Sequence, residues 1–213
     1  IIIFVQQIMD WLRVVISLTS GFLIVYDALK KKSLTKDGGL IAFFIGSITI
    51  YISWRFGITM LAFFYSSSKI SKINNKKNEG NRNYKQVLCN SFYGTLCGIL
   101  YWKSISYLFI PLPFLKSPKI STFYLGSFLS FYSACIGDTW SSELGSLSKQ
   151  TPRLIIKPWL KVPKGTNGGI TLFGTFASIL AGLFIGIVFY YSGFNTINDI
   201  KSNLNDDNII KLL

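Results

Sequence analysis

The sequence contains no histidine. It therefore lacks the commonest general base of enzymes and the base of the serine and cysteine catalytic triads. Cysteine is scarce too: Cys89, Cys97 and Cys135 lie in or beside apolar stretches, and there is no histidine to complete a zinc or haem site with them. We interpret all three as packing residues. Any catalysis must then use carboxylates, lysines, backbone amides or a hard metal ion.

Acidic residues are also few, with nine against 22 lysines and arginines, which leaves a net charge of +13. Such an excess is typical of nucleic-acid-binding proteins, but here the cations cluster in short segments between long apolar runs. Half of the residues are apolar, 15% are charged and the mean hydropathy is +0.42, values that a soluble domain seldom shows. We therefore predict an integral membrane protein whose cations face anionic lipid headgroups, with no nucleic-acid partner.

The apolar runs predict an all-α fold, a polytopic transmembrane helix bundle with four to six membrane segments. A spanning helix needs about 20 apolar residues to cross roughly 30 Å of hydrocarbon. The candidates form a single predicted transmembrane domain over residues 1–193, with segments at about 11–29, 40–65, 87–102, 120–137 and 169–193. Residues 194–213 are predicted to be a polar tail, disordered or interfacial.

The run at 40–65 is interrupted at its middle by Trp54 and Arg55. It is either one tilted span or a re-entrant hairpin, because each half is too short to cross a bilayer alone. Lysine and arginine mark the cytoplasmic side, and the loops at 66–86 and 138–168 carry six and five of them. A hairpin would bring the basic cluster at 30–36 to that same side, so we favour the hairpin.

Small residues recur every four positions in the last two spans and predict close helix packing in lipid. Continuing the pattern of the 120–137 span by one step reaches Asp138, so we expect this carboxylate to point into the bundle. The members of the pattern are Gly126, Ser130 and Ala134 in that span, Gly174, Ser178, Gly182 and Gly186 in the last span, and a Gly94 and Gly98 pair in the 87–102 span.

Two of the nine acidic residues fall within the motif GDTWSSELG at 137–145. Asp138 and Glu143, with hydroxyl side chains between them, are hard oxygen donors of the kind that Mg²⁺ accepts, often together with substrate phosphates. We predict both as metal-binding and catalytic residues. The alternative is that Gly137 ends a span, Asp138 caps a following turn and Glu143 is a solvated loop residue.

A second motif, KVPKGTNGG at 161–169, lies immediately before the last span. Its glycines permit backbone conformations that direct consecutive N–H groups at an anion, and the following helix adds its positive N-terminus. It is not a Walker A loop, and the alternative is an ordinary turn and helix cap. The residues predicted to bind the phosphates of a nucleotide are Lys161, Lys164, Gly165, Thr166, Asn167, Gly168, Gly169 and, from the preceding stretch, Arg153.

An acidic motif and a basic glycine-rich motif thus share one polar loop. Carboxylates that hold a divalent cation beside groups that hold phosphates are the minimal apparatus of phosphoryl transfer, which depends on positioning and charge neutralisation. The serines and lysine at 66–69 are further candidate phosphate ligands, although capping is the commoner role of such a run. The asparagine and lysine stretch at 73–85 is interpreted as a flexible loop.

At these motifs the chain resembles the transmembrane protein 19 family, as it does at KKKSLTKDGGL (30–40), SSSK (66–69), QVLCN (86–90) and SKQTPRLI (148–155). That family includes plant and cyanobacterial phytyl-phosphate kinases. The resemblance implies a Mg²⁺-dependent kinase that transfers phosphate from a nucleoside triphosphate to a prenyl phosphate such as phytyl phosphate. By this resemblance, the predicted site residues are Asp138, Glu143, Lys164, Thr166, Asn167, Gly168 and Gly169.

Family members continue with further spans and a second acidic block, so we expect this chain to be a fragment that lacks the C-terminal part of the site. The alternative function is a non-enzymatic multi-pass transporter or scaffold. As location we favour an endomembrane such as the endoplasmic reticulum over the plastid.

Overall fold

The computed structural model describes residues 2–73, 81–105 and 118–193. The predicted polar tail at 194–213 lies outside these residues. Within them the chain forms seven helices and three short strands. Their bounds are α1 (Ile2–Lys30), α2 (Lys36–Ile52), α3 (Trp54–Ile73), α4 (Tyr84–Cys89), α5 (Phe92–Ile105), α6 (Pro118–Leu147), β1 (Arg153–Leu154), β2 (Lys157–Lys161), β3 (Gly169–Ile170) and α7 (Leu172–Ser192).

Three helices in the described part of the chain are long and apolar enough to cross a membrane: Asp10–Lys30, Lys119–Leu147 and Leu172–Ser192. The predicted all-α transmembrane fold is confirmed. The strands are a small addition that hydropathy did not predict. They form an antiparallel sheet in the order β2-β1-β3 between α6 and α7.

Helices α2 and α3 form a hairpin that reverses at Ser53. Ser53 has extended backbone dihedrals (φ −164°, ψ 136°), so it ends α2, and its carbonyl accepts a hydrogen bond from Gly57 N in the first turn of α3. A Cβ atom at Gly57 would lie 2.7 Å from Ile50 Cγ1, so glycine permits the close approach beside the turn. Residues 40–65 therefore form a helical hairpin and not one continuous helix, and its re-entry into the membrane stays a prediction.

The end of α3 returns to the end of α1. Tyr65 Oη donates a hydrogen bond to Asp27 Oδ2 (3.4 Å), and Lys72 Nζ donates one to the Lys31 carbonyl (3.2 Å). In the next segment Arg82 O accepts from Thr35 N (3.0 Å). The basic segment at 30–36 and the described parts of 66–86 therefore lie at one end of the bundle. Glu143 of α6 lies near Arg82, so the C-terminal end of α6, the sheet and the start of α7 lie there as well. We call this region the loop end.

The core lies among α3, α5, α6 and α7 and is built of aromatic rings. Phe56 of α3 stacks on Phe128 of α6 with ring centroids 4.2 Å apart, and the Phe63 and Tyr132 rings are 5.7 Å apart one level nearer the loop end. At the opposite end Arg55 Nε donates to the Phe189 carbonyl (2.8 Å). The buried core residues are Ile52, Phe56, Phe63, Cys97, Phe128, Tyr132, Ile136, Ala181, Ile185 and Phe189.

Only some of the small residues that recur every four positions lie at close helix contacts. A Cβ atom at Gly174 would lie 2.9 Å from the Ser141 carbonyl oxygen, and one at Gly137 would lie 2.9 Å from Ser178 Oγ, so α6 and α7 are in close contact near the loop end. Added Cβ atoms at Gly126, Gly182 and Gly186 would have no neighbour within 4 Å in the described structure. A Cβ atom at Gly94 of α5 would lie 2.6 Å from Tyr132 of α6, so the predicted close packing holds there and in the half of α7 nearest the sheet.

Candidate functional site

The acidic motif is helical from end to end. Helix α6 runs to Leu147, so the expectation that the span ends at Gly137 is wrong. Gly137 stands inside the helix because its missing side chain admits Ser178 of α7. The hydroxyls of the motif bond back to their own helix: Ser141 Oγ donates to the Asp138 carbonyl (3.0 Å) and Ser142 Oγ to the Thr139 carbonyl (3.1 Å).

Asp138 and Glu143 point in different directions. Five residues on an α-helix turn the side chains apart by about 140°. Asp138 is exposed, whereas Glu143 is buried, with 7% of its surface accessible. The expectation that Asp138 faces the bundle interior is therefore wrong, because the angle between the two positions gives the inward direction to Glu143.

This arrangement limits how Mg²⁺ could bind. The described residues contain no group of three or more acidic or cysteine side chains that could hold a metal ion. Mg²⁺ is commonly held by one or two carboxylates, with waters and substrate phosphates as the remaining ligands. The exposed Asp138 fits that limited role, while joint coordination by Asp138 and Glu143 stays a prediction that their directions do not favour.

The glycine-rich loop consists of two tight turns, both exposed. Thr166 N donates to the Pro163 carbonyl (3.3 Å) and Gly169 N to the Thr166 carbonyl (2.9 Å). The third residue of each turn, Gly165 (φ 87°) and Gly168 (φ 76°), has the positive φ that type II turns require. The loop's glycines thus have a structural role, and two of its N–H groups donate within the turns.

Lys164 and Arg153 bond to backbone carbonyls in this region. Lys164 Nζ donates to the carbonyls of Ser146 (3.2 Å) and Ser148 at the end of α6, where a cation favours the helix dipole. Arg153 Nη1 donates to the Pro158 carbonyl (2.9 Å) and so supports the β1–β2 pair. The other predicted phosphate ligands, Lys161, Thr166 and Asn167, are exposed.

Helix α7 does not begin at the glycine loop. Its N-cap is Thr171, whose hydroxyl accepts from Gly174 N (3.1 Å). The predicted start at Gly169 is early by three residues, because Gly169 and Ile170 pair with β1 as strand β3. Neither Thr166 nor Asn167 caps the helix.

The sheet is basic and apolar on its exposed surface. Every residue of β2 is exposed, and Trp159 has 75% of its surface accessible. Residues 144–193 include five lysines and arginines and no acidic residue. Exposed tryptophan beside cations, between two membrane-crossing helices, is the composition that a surface of anionic lipid headgroups attracts.

The structure adds Arg82, which the sequence did not single out. Arg82 N donates to the Ser33 carbonyl (3.1 Å), and its guanidinium lies 5.4 Å from the Phe64 ring centroid. Burial lowers the pKa of Arg82, and the nearby charge of Glu143 opposes that shift. The buried carboxylate of α6 therefore faces a cation from a segment interpreted as a flexible loop. The signal that could have found it is the capping box of Asn83 and Gln86, which starts α4.

Hydroxyls of the SSSK segment are also buried at the loop end. Ser66 Oγ donates to the Ala62 carbonyl (2.6 Å) within α3, as the capping interpretation predicts. Ser67 is fully buried, and neither Ser67 Oγ nor Ser68 Oγ has a hydrogen-bond partner among the described residues. Buried polar groups without partners are uncommon and call for an explanation.

The segment KDGG at 36–39 connects the start of α2 to the start of α4 at the loop end. Asp37 Oδ2 accepts from Tyr84 N (3.3 Å). The Thr35 hydroxyl and then the Tyr84 N–H lower the pKa of Asp37. A Cβ atom at Gly38 would lie 2.4 Å from the Arg82 carbonyl oxygen, so a side chain there would displace the Arg82 segment.

Comparison with known proteins places the chain among integral membrane proteins. The family model described as "Integral membrane protein DUF92" matches residues 19–209. The chain is 36% identical over 200 residues to Protein PGR of Arabidopsis thaliana, covering 86% of this chain and 66% of that protein. It is 31% identical over 179 residues to the uncharacterized membrane protein MJ0933 of Methanocaldococcus jannaschii, covering 81% of this chain and 66% of that protein.

A more distant relative is Protein VTE6, chloroplastic, of Arabidopsis thaliana, 25% identical over 170 residues that cover 75% of this chain and 48% of that protein. The chain thus spans about two thirds of the first two relatives and about half of the third. No solved structure matches the chain.

Proposed function

The chain belongs to the DUF92 family of integral membrane proteins, and on that premise we propose that it is part of a phosphotransferase that acts on an isoprenoid phosphate in the membrane. The observation that carries the proposal is the meeting of separate sequence segments at the loop end. Arg82 lies near Glu143 in the last turns of α6, the exposed Asp138 lies five residues earlier on that helix, and the basic sheet connects α6 to α7. The resemblance to a family that includes phytyl-phosphate kinases supports this choice of substrate.

Each group would then have a limited role. A bound Mg²⁺ would neutralise phosphate charge, with Asp138 as its protein ligand. Lys161 and Asn167 are exposed and would contact the phosphates of the nucleoside triphosphate. Glu143 would position Arg82. Lys164 and Arg153 already donate to carbonyls, so we assign them to the shape of the loop.

The test is formation of the diphosphate by purified full-length protein from geranylgeranyl or phytyl monophosphate with CTP or ATP and Mg²⁺. Asp138→Asn should lower the rate by roughly a hundredfold, as loss of a charged group at a transition state does. Asp10→Asn is the matched control, since about 30 Å of helix α1 separates Asp10 from the loop end. If Asp138→Asn keeps the wild-type rate while the wild type is active, the assignment of Asp138 is wrong.

A second candidate is a non-enzymatic membrane protein, a transporter or scaffold. It is favoured by the bonds of Lys164, Arg153 and Thr166 to backbone carbonyls, which give the glycine loop a purely structural role. Limited proteolysis separates the two functions. The kinase predicts that CTP or ATP with Mg²⁺ protects the loop at 161–169 from cleavage, whereas a scaffold predicts an unchanged cleavage rate.

The membrane location follows from the family, and the organelle stays a prediction. One relative is described as chloroplastic. The comparisons therefore give no support to the preference for the endoplasmic reticulum over the plastid.

A further inference from the structure

A cavity of about 70 Å³ lies between α1, α2 and α3 and is partly open to the outside. Small residues line this space: Ala28 on α1, and Ala42 and Gly46 on α2. A Cβ atom at Gly46 would meet only the end of the Met60 side chain, at 3.7 Å. The α2 residues that line the cavity run from position 42 to position 50, a distance of about 12 Å along the helix. The cavity is therefore narrow and runs parallel to the helices.

The walls from α1, α2 and α3 are apolar, and Arg82, Gln86, Asn90 and Ser91 also line the cavity. Backbone hydrogen bonds to Ser33 and Thr35 hold Arg82 at the loop end, so the cavity is polar at that end. An apolar cavity of this kind stays dry and takes apolar ligands, and a water molecule needs only about 10–15 Å³ of such volume. The space therefore admits a short length of hydrocarbon chain, and the open side lets a longer chain continue towards lipid.

The unpartnered serine hydroxyls lie beside the polar end. Phe63 and Phe64 line the cavity, and Ser67 and Ser68 follow them by four residues, so each serine lies one turn further along the same face of α3. The Arg82 guanidinium lies over the Phe64 ring. A guanidinium and two hydroxyls without partners are thus gathered where the apolar cavity ends.

We propose that this cavity holds the hydrocarbon chain of a single-chain lipid phosphate, and that Arg82, Ser67 and Ser68 bind its phosphate group. A guanidinium matches the geometry of phosphate oxygens and forms paired hydrogen bonds with them. The two hydroxyls would gain the partners that they lack. The inference rests on the proposed function, because the ligand is the isoprenoid phosphate acceptor of that reaction.

Glu143 is compatible with this role. Its charge lies near Arg82 and opposes the effect of burial on the pKa of the guanidinium. Without an anionic ligand, Glu143 therefore offsets part of the cost of placing this partly buried cation there. A bound phosphate would then interact with the same guanidinium as Glu143. The backbone of Arg82 is already fixed by its hydrogen bonds with Ser33 and Thr35.

The test is photo-crosslinking of full-length protein in nanodiscs with geranylgeranyl monophosphate that carries a diazirine on its chain, without nucleotide or Mg²⁺. Mass spectrometry of the wild type should find the label on α1, α2 and α3. Gly46→Leu fills the cavity and should reduce labelling by about tenfold, equivalent to roughly 1.4 kcal/mol of binding free energy. Gly186→Leu is the matched control, because it adds the same side chain at a position where an added Cβ atom has no neighbour within 4 Å in the described structure. Thermal unfolding checks that both variants fold.

The phosphate contact is tested with Arg82→Gln and with two probes. The variant should bind the monophosphate about tenfold more weakly and the corresponding diazirine alcohol as the wild type does. Excess phospholipid that competes as well as unlabelled geranylgeranyl monophosphate would identify the occupant as an ordinary bilayer lipid and overturn the assignment to a single-chain ligand.

Wild-type labelling confined to α6 and α7, or full labelling of folded Gly46→Leu, would overturn the cavity assignment. These results are separable from the proposed function. Binding in the cavity without diphosphate formation would refute the kinase alone, whereas wild-type diphosphate formation by Gly46→Leu would refute the cavity alone.

Discussion

The close contact of α5 with α6 at Gly94 gives a stability prediction whose size follows from the structure. A Cβ atom at Gly94 would lie 2.6 Å from Tyr132 Cε2 and 2.9 Å from Phe131 Cδ1. Carbon atoms prefer separations of about 3.5–4.0 Å, so Gly94→Ala requires a shift of about 1 Å. Tyr132 is fully buried, with its ring centroid 4.9 Å from that of Phe128 and 5.7 Å from that of Phe63, and has no room to move.

The matched variant is Gly182→Ala on α7, where an added Cβ has no neighbour within 4 Å in the described structure. Both changes replace a helical glycine by alanine, so the gain in helix propensity of about 1 kcal/mol is common to both and cancels in the comparison. The remaining difference is the cost of overpacking, about 1–3 kcal/mol. Gly94→Ala should be the less stable variant by that amount.

The assay is reversible unfolding in mixed detergent micelles, followed by circular dichroism, from which the free energies of unfolding of both variants are obtained. Equal values for the two variants would refute the reasoning, since they would show that α5 and α6 are further apart than in the structure. The result also bears on the site. Tyr132 and Glu143 lie on the same face of α6, so the contact at Gly94 helps to fix the direction of Glu143.

Three further predictions concern the two ends of the bundle. Arg55→Met removes a charge-assisted hydrogen bond to the Phe189 carbonyl and should lower the free energy of unfolding by about 2 kcal/mol, measured in the same micelles, whereas Arg55→Lys should lose less. The folded-state pKa of Asp37 is lowered, so its contribution to stability is present at neutral pH and is lost as the pH falls below 3.8; the difference in melting temperature between wild type and Asp37→Asn should shrink in that range. Lys164→Gln should speed proteolysis of the glycine loop without weakening nucleotide binding, and Lys161→Gln should do the reverse; equal effects in both assays would contradict these roles.

Hydropathy predicted the helices because a bilayer imposes a length and a composition on every span. The hairpin followed from two further signals, the polar break at Arg55 and the distribution of basic loops. What the sequence does not contain is the partner of Arg55, the carbonyl of Phe189, which lies 134 positions further along the chain. A polar residue inside an apolar run therefore marks a tertiary contact without identifying it.

The predicted end of α6 and the predicted start of α7 were wrong because glycine occurs in two different structural situations. Gly137 was interpreted as a helix end, yet it lies within α6 and makes room for Ser178. Gly169 was interpreted as a helix start, yet it pairs with Leu154 in the sheet, and Thr171 caps α7. Close packing and chain reversal both favour glycine, and the sequence alone does not separate them.

The candidate site was predicted as one loop, and the structure distributes it over three segments. The nearness of Arg82 to Glu143 was not predictable, because no periodicity relates residues from different segments. The same holds for Ser67, whose hydroxyl is buried only because neighbouring helices cover that turn of α3.

The surroundings of Asp138 and Glu143 differ, so we expect the two carboxylates to have different roles. Glu143 is buried near a cation, so its charge supports the folded structure and the position of Arg82. Asp138 is exposed on the outer face of α6. If the protein transfers phosphate, we expect Asp138 to be the ligand of the metal ion and Glu143 to act on the proposed lipid-binding cavity through Arg82. Loss of Asp138 should then affect turnover with little effect on lipid binding, whereas loss of Glu143 should affect both.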